Sequence, residues 1–136
     1  TWIFDIAHNT AGAQALASVL ERLDLPRPVV LLTAVLGDKD WRSMLPPLFR
    51  EADPVVLTQT PSAPLERRWD PAKAAREAAS PVAEICLDFE KALARVRDLA
   101  GSGTIVVTGS THTVGDALRD LGLAPFLDMD APARRP

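Results

Sequence analysis

The chain has 136 residues, enough for one domain, and 47% of them are hydrophobic, enough to fill a core. Its formal net charge of −3 leaves no basic footprint for nucleic acid or an anionic membrane surface. No apolar run approaches the roughly 18 residues of a membrane span, and no signal peptide is evident. The chain opens on Thr1 already inside a strand, and its first methionine is Met44, so it is expected to be a domain cut from something larger.

Five apolar, β-rich runs alternate with helical periods: residues 2–5, 29–34, 54–58, 82–86 and 104–108. The first passes directly into Asp5-Ile6-Ala7-His8-Asn9-Thr10, and the helical stretch behind it repeats Leu16, Val19, Leu20 and Leu23. The second leads through Gly37-Asp38-Lys39-Asp40 into a helix with Trp41, Met44, Leu45, Leu48 and Phe49 on one face. Pro46-Pro47 interrupts that helix, so either Ser43 caps it late or it kinks. Residues 59–70 form a Pro-rich connection to a helix opening at Pro71. The fourth run holds the single cysteine, Cys86, expected to be a buried inert thiol; without a disulfide partner it suggests a reducing cytoplasm. Phe89, Leu93 and Val96 mark the next helix, and Val114, Leu118 and Leu121 the last. Residues 1–122 thus read as the domain and residues 123–136 as a Pro-rich tail expected to fray.

Continuous apolar strands imply burial on both faces. The expected fold is α/β, a Rossmann-like three-layer sandwich with a mainly parallel sheet of five or six strands flanked by helices. A doubly wound order would put the first strand centrally with a later strand beside it. In such a sheet all carboxyl ends lie along one edge, so the turns at residues 5–9, 37–40, 58–60 and 109–112 share one surface. Both histidines, His8 and His112, fall in this set, and helix N-termini behind these turns favour anions.

Each piece also has a plainer role. Asn9 or Thr10 can cap the first helix, Asp40 the second, and Ser110 or Thr111 the last; Lys39 alone can be a solvated lysine, and Gly109 can permit a tight turn. Arg67-Arg68 and Arg134-Arg135 read as solvated pairs. There is no G-x-x-x-x-G-K-[ST] loop and no G-x-G-x-x-G after the first strand, so nucleotide binding by this chain alone is not supported. Ser110 lacks the G-x-S-x-G elbow of a serine hydrolase. Asp5 lacks the neighbouring acid of a receiver domain, and no metal-ligand spacing surrounds Cys86.

Asp5-Ile6-Ala7-His8-Asn9 resembles the D-G-A-H-N signature that opens the C-terminal domain of folylpolyglutamate synthases and dihydrofolate synthases, in the Mur ligase superfamily. Val35-Leu36-Gly37-Asp38-Lys39-Asp40 is similar to the family's G-x-x-x-D-K-D stretch. Val107-Thr108-Gly109-Ser110, with Val114-Gly115, is similar to its T-G-S-x-x-x-V-G. Ile6 replaces the usual glycine and Thr10 the frequent proline. The resemblance implies an ATP- and Mg-dependent ligase that phosphorylates a folate or dihydropteroate carboxylate and joins it to L-glutamate. It also implies a central domain, absent here, that carries the phosphate loop and the metal ligands. It further implies roles for individual residues: Asp5 on the ATP ribose, His8 as the catalytic group at the phosphate and glutamate side, and Asn9 beside ATP. Lys39 and Ser110 would hold glutamate. No nucleic acid or membrane partner is implied, and the isolated domain is expected to be inactive. A peptidoglycan Mur ligase domain, or a non-catalytic binding domain signalled by Ile6, are the alternatives.

Overall fold

The computed structural model describes residues 1–78 and 83–123. The apolar runs form strands β1 (Trp2–Phe4), β2 (Val29–Thr33), β3 (Val55–Leu57), β4 (Ala83–Ile85) and β5 (Thr104–Thr108). The helices are α1 (Thr10–Arg22), α2 (Trp41–Glu51), α3 (Pro71–Glu77), α4 (Phe89–Ala100) and α5 (Thr111–Asp120), with a 3-10 turn at Leu65–Arg67. Val82, at the start of the fourth expected run, and residues 124–136 of the expected tail, with Arg134-Arg135, lie outside the described residues.

The sheet is parallel throughout, in the order β1-β5-β2-β3-β4. The expectation of a central first strand is therefore corrected: β1 is an edge strand, and β5 lies between it and β2. All five residues of β2 and of β5 are buried, whereas the three of β1 are only partly covered. A short, half-covered strand suits an edge, and long apolar strands suit the centre.

Alternate residues of each strand point to opposite faces. Val29, Leu31, Val55, Leu57 and Val106 pack with Leu16 and Leu20 of α1 and with Met44, Leu45 and Leu48 of α2. Val30, Leu32, Val56, Ile105 and Val107 pack on the other face with Leu93 and Val96 of α4 and Ala117 of α5. Three layers result. The α1 stripe is narrower than its spacing suggested, since Val19 and Leu23 are each 46% exposed.

Asp40, not Ser43, caps α2, its side chain accepting from Ser43 N at 3.3 Å. The helix then runs through Pro46 and Pro47, which cannot donate to the carbonyls of Arg42 and Ser43. Trp41, Met44, Leu45 and Leu48 are buried on this helix. At about 1.5–3 kcal/mol per buried side chain, their packing is on the scale of two interior prolines at about 3 kcal/mol each. Cys86 differs from expectation too. It follows β4 rather than lying within it and is half-buried, with Sγ 3.5 Å from the Asp88 carbonyl.

Candidate functional site

The β1–β5 pairing sets the turn after β1 beside the turn after β5. Asp5 N continues the ladder by donating to Val107 O at 3.0 Å. Asp5 Oδ1 accepts from Ala7 N at 2.8 Å, which folds the turn back on itself. His8 Nδ1 lies 2.9 Å from the Ile6 carbonyl. A carbonyl can only accept, so Nδ1 carries the hydrogen and Nε2 is left for a ligand. Asn9 caps α1, its Oδ1 accepting from Gly12 N at 2.8 Å.

Across the gap, Gly109 turns the chain out of β5 with φ +119°. Ser110 is 2% exposed and caps α5, accepting from Thr113 N at 3.0 Å. Thr113 Oγ1 donates to Ala34 O at 2.8 Å, so the 2.8 Å contact between the two hydroxyls is a donation from Ser110. The Ser110 hydroxyl thus has its proton committed and one lone pair left. Ser110→Ala should therefore cost about 1–2 kcal/mol in urea unfolding with the m-value unchanged. A loss below about 0.3 kcal/mol would show that this cap carries no stability.

The loop after β2 is fixed by the Pro-rich connection. Arg67 grips Asp38 with two bonds, Nε to Oδ1 at 3.2 Å and Nη2 to Oδ2 at 3.0 Å. These bonds hold the Asp38 carboxyl below its usual range. Gly37 N donates to Arg67 O at 2.7 Å, and Leu36 bridges Arg68. The Arg68 guanidinium donates to the carbonyls of Ala63 and Pro61. Arg67-Arg68 is thus a loop clamp, not the solvated pair expected. Lys39 is half-buried and has no ion-pair partner among the described residues.

Two of the depressions along this edge are bordered by His8. The larger, about 440 Å³, is walled by Ile6, Ala15 and Val19 and reaches Asp5, His8 and Asn9. The smaller, about 200 Å³, is lined by Leu36 and by His8, Lys39, Arg67, Ser110, Thr111 and His112. His8 borders both. Asp5, His8 and Asn9 are thus brought together in one depression, and His8, Lys39 and Ser110 in the other.

The sequence places His112 among the edge turns without a role and Arg67 in a solvated pair, and it does not point to a cluster at Asp116. Asp116 is 2% exposed; its Oδ2 accepts from Thr60 Oγ1, Ser62 N and Ser62 Oγ, and Arg119 pairs with its Oδ1. Its signal was available: a carboxylate among buried Thr113, Val114 and Ala117 on one helix face requires buried partners. Among the described residues, no three His, Cys, Asp or Glu side chains gather as metal ligands.

A parallel three-layer domain with polar turns gathered at one edge defines a ligand-binding α/β class, and comparison specifies the family. The model for "Mur ligase, glutamate ligase domain" matches residues 1–111, and the chain belongs to that family. Folylpolyglutamate synthase of Mycobacterium tuberculosis, complexed with ADP, is 31% identical over 86% of this chain and 28% of its own, with a TM-score of 0.74. The bifunctional folylpolyglutamate synthase/dihydrofolate synthase of Yersinia pestis, complexed with AMPPNP and Mn ion, is 27% identical over 90% and 28%, with a TM-score of 0.77. Folylpolyglutamate synthase of Thermotoga maritima is 27% identical over 84% and 26%, with a TM-score of 0.67. This chain spans about 28% of the length of the first two structures. No curated protein sequence matches it.

Proposed function

We propose that residues 1–122 are the closing domain of a cytoplasmic, ATP-dependent ligase that adds L-glutamate to folate or dihydropteroate through an acyl phosphate. The reading rests on one observation: His8 lines both a largely apolar depression that includes the Asp5 carboxylate and a smaller one that includes Lys39 and Arg67. The chemistry of the larger depression suits a nucleoside. Ile6, Ala15 and Val19 offer apolar contact to a base, and the Asp5 carboxylate can accept from ribose hydroxyls. Ile6, the departure from the family signature, is 53% exposed and serves as wall rather than obstruction.

In this reading the phosphates pass His8, whose Nε2 faces them, with the Asn9 amide alongside. Lys39 and Arg67 attract the glutamate carboxylates in the smaller depression. Ser110, with no proton to donate, accepts from the glutamate ammonium. An acyl phosphate hydrolyses readily, so a domain closing over it both excludes water and positions the amine. Magnesium and the phosphate loop fall to the central domain that the resemblance implies.

The test uses the isolated chain. It should show no ATPase or ligase turnover, yet bind ADP weakly, on the order of millimolar, because few contacts exceed the cost of immobilising the ligand. The amide signals of Asp5, His8 and Asn9 should shift on titration with ADP. Turnover by the isolated chain, or ADP shifts confined to another face, would overturn the reading.

A further inference from the structure

The Asp116 cluster does more than fasten a loop to α5. Ser62 Oγ lies 3.0 Å from Asp116 Oδ2 and 3.0 Å from His112 Nδ1. A carboxylate has no proton to give, so the single Ser62 hydroxyl proton points to Asp116. Toward His112 the Ser62 oxygen is then an acceptor, and Nδ1 must carry the hydrogen. Asp116 and Ser62 thereby select the imidazole tautomer of His112 and leave the Nε2 lone pair outward. That nitrogen has no hydrogen-bond partner among the described residues, and His112 lines the smaller depression with His8, Lys39, Arg67 and Ser110.

We propose that His112 accepts the proton shed by the incoming amine during ligation, with Ser62 and Asp116 as positioning residues that hold it in the required tautomer. This rests on the ligase reading and gives His112, placed on the shared edge by the sequence, a role that the sequence did not assign. The ammonium first gives one proton to His112 Nε2, which frees the nitrogen lone pair. The amine nitrogen then forms its bond to the acyl carbon while the carbon–oxygen bond to phosphate breaks, and phosphate leaves with the bonding electron pair and takes up the second nitrogen-bound proton. Lys39 and Arg67 line the same depression but are cations with no lone pair to offer. His8 keeps an outward Nε2 too, yet it stands where the two depressions meet, on the phosphate side. Arg119 faces Asp116 from the far oxygen and compensates its charge without reaching Ser62.

Two measurements test this. In the ¹⁵N-labelled chain, ring-nitrogen shifts should report the Nδ1–H tautomer for His112. Ser62→Ala should shift the population toward Nε2–H, and Ser62→Thr, which retains a hydroxyl, should restore it. In the full-length ligase that carries this domain, His112→Asn keeps an N–H toward Ser62 but removes Nε2. It should lower kcat by about 100-fold or more, within the usual range for a lost general base, and leave the KM for ATP unchanged. Ser62→Ala should lower kcat roughly tenfold, with recovery in Ser62→Thr. An Nε2–H tautomer in the unaltered chain, or a His112→Asn enzyme with undiminished kcat, overturns this inference alone. A wild-type enzyme without glutamate-dependent phosphate release overturns the ligase reading and takes this inference with it.

Discussion

Alanine at position 109 is expected to leave the chain unable to fold stably. Gly109 has φ +119°, and a Cβ there would collide with the Ala34 carbonyl oxygen while sitting 2.7 Å from Thr33 Oγ1 and 2.9 Å from the Ala34 carbonyl carbon. Two of these obstacles are backbone of the central strand's continuation, which cannot swing aside as a side-chain tip can. Strained backbone costs about 1–3 kcal/mol and overpacking a similar amount. Moving Ala34 would also disturb its bond from Thr113, on which the Ser110 cap depends. A total of about 2–6 kcal/mol is a large share of the roughly 5–15 kcal/mol that stabilises a domain. Urea melts of Gly109→Ala should show a collapsed midpoint or no cooperative transition. A midpoint close to that of the parent would mean that the β5–α5 turn can be built without this approach.

The second large effect concerns Asp5 and is read in the full-length ligase. Asp5→Asn preserves an oxygen for the bond from Ala7 N, so the turn survives while the charge is lost. Removing a charge-assisted bond costs about 1.5–3 kcal/mol, or roughly ten- to a hundredfold in the apparent KM for ATP. Asp5→Ala should show the same KM defect together with a lower Tm, because it also removes the turn. An Asn variant with unaltered ATP dependence would reduce Asp5 to a turn-forming residue.

These expectations draw on parts of the molecule that were not equally legible in the chain. The strands were readable because burial on both faces leaves an uninterrupted apolar run, as in Val29-Val30-Leu31-Leu32. The turn after β1 was readable because its contacts are local: Asp5 bonds two residues on and Asn9 three residues on. Strand order was not, since apolar periodicity says which face a residue takes and nothing about which strand lies alongside. Arg67 looked like a surface charge because its partner, Asp38, is distant in the chain and meets it only where the Leu36–Arg68 bridge and the Gly37–Arg67 backbone bond join the two loops. Ser62 was hidden for the same reason. In a Pro-rich connection it looked like linker, and only the fold carries it to Asp116 and His112. Local chemistry was legible, and chemistry assembled across the sheet was not.

The position of β5 between β1 and β2 has a consequence for vectorial synthesis. Among the described residues, β1 has no sheet neighbour other than β5, which is made after β2, β3 and β4. Until residues 104–108 have left the ribosome, β1 has no partner among the described strands and β2 has one edge bare. Helices α1 and α2 can associate early, since they pack against each other, but they do so beside an incomplete sheet. Unpaired strand edges on a nascent chain invite pairing with other chains. A stalled or truncated product ending before Thr104 would therefore be a sticky species rather than a smaller version of the domain, and its rescue depends on one late five-residue strand sliding between two that are waiting for it.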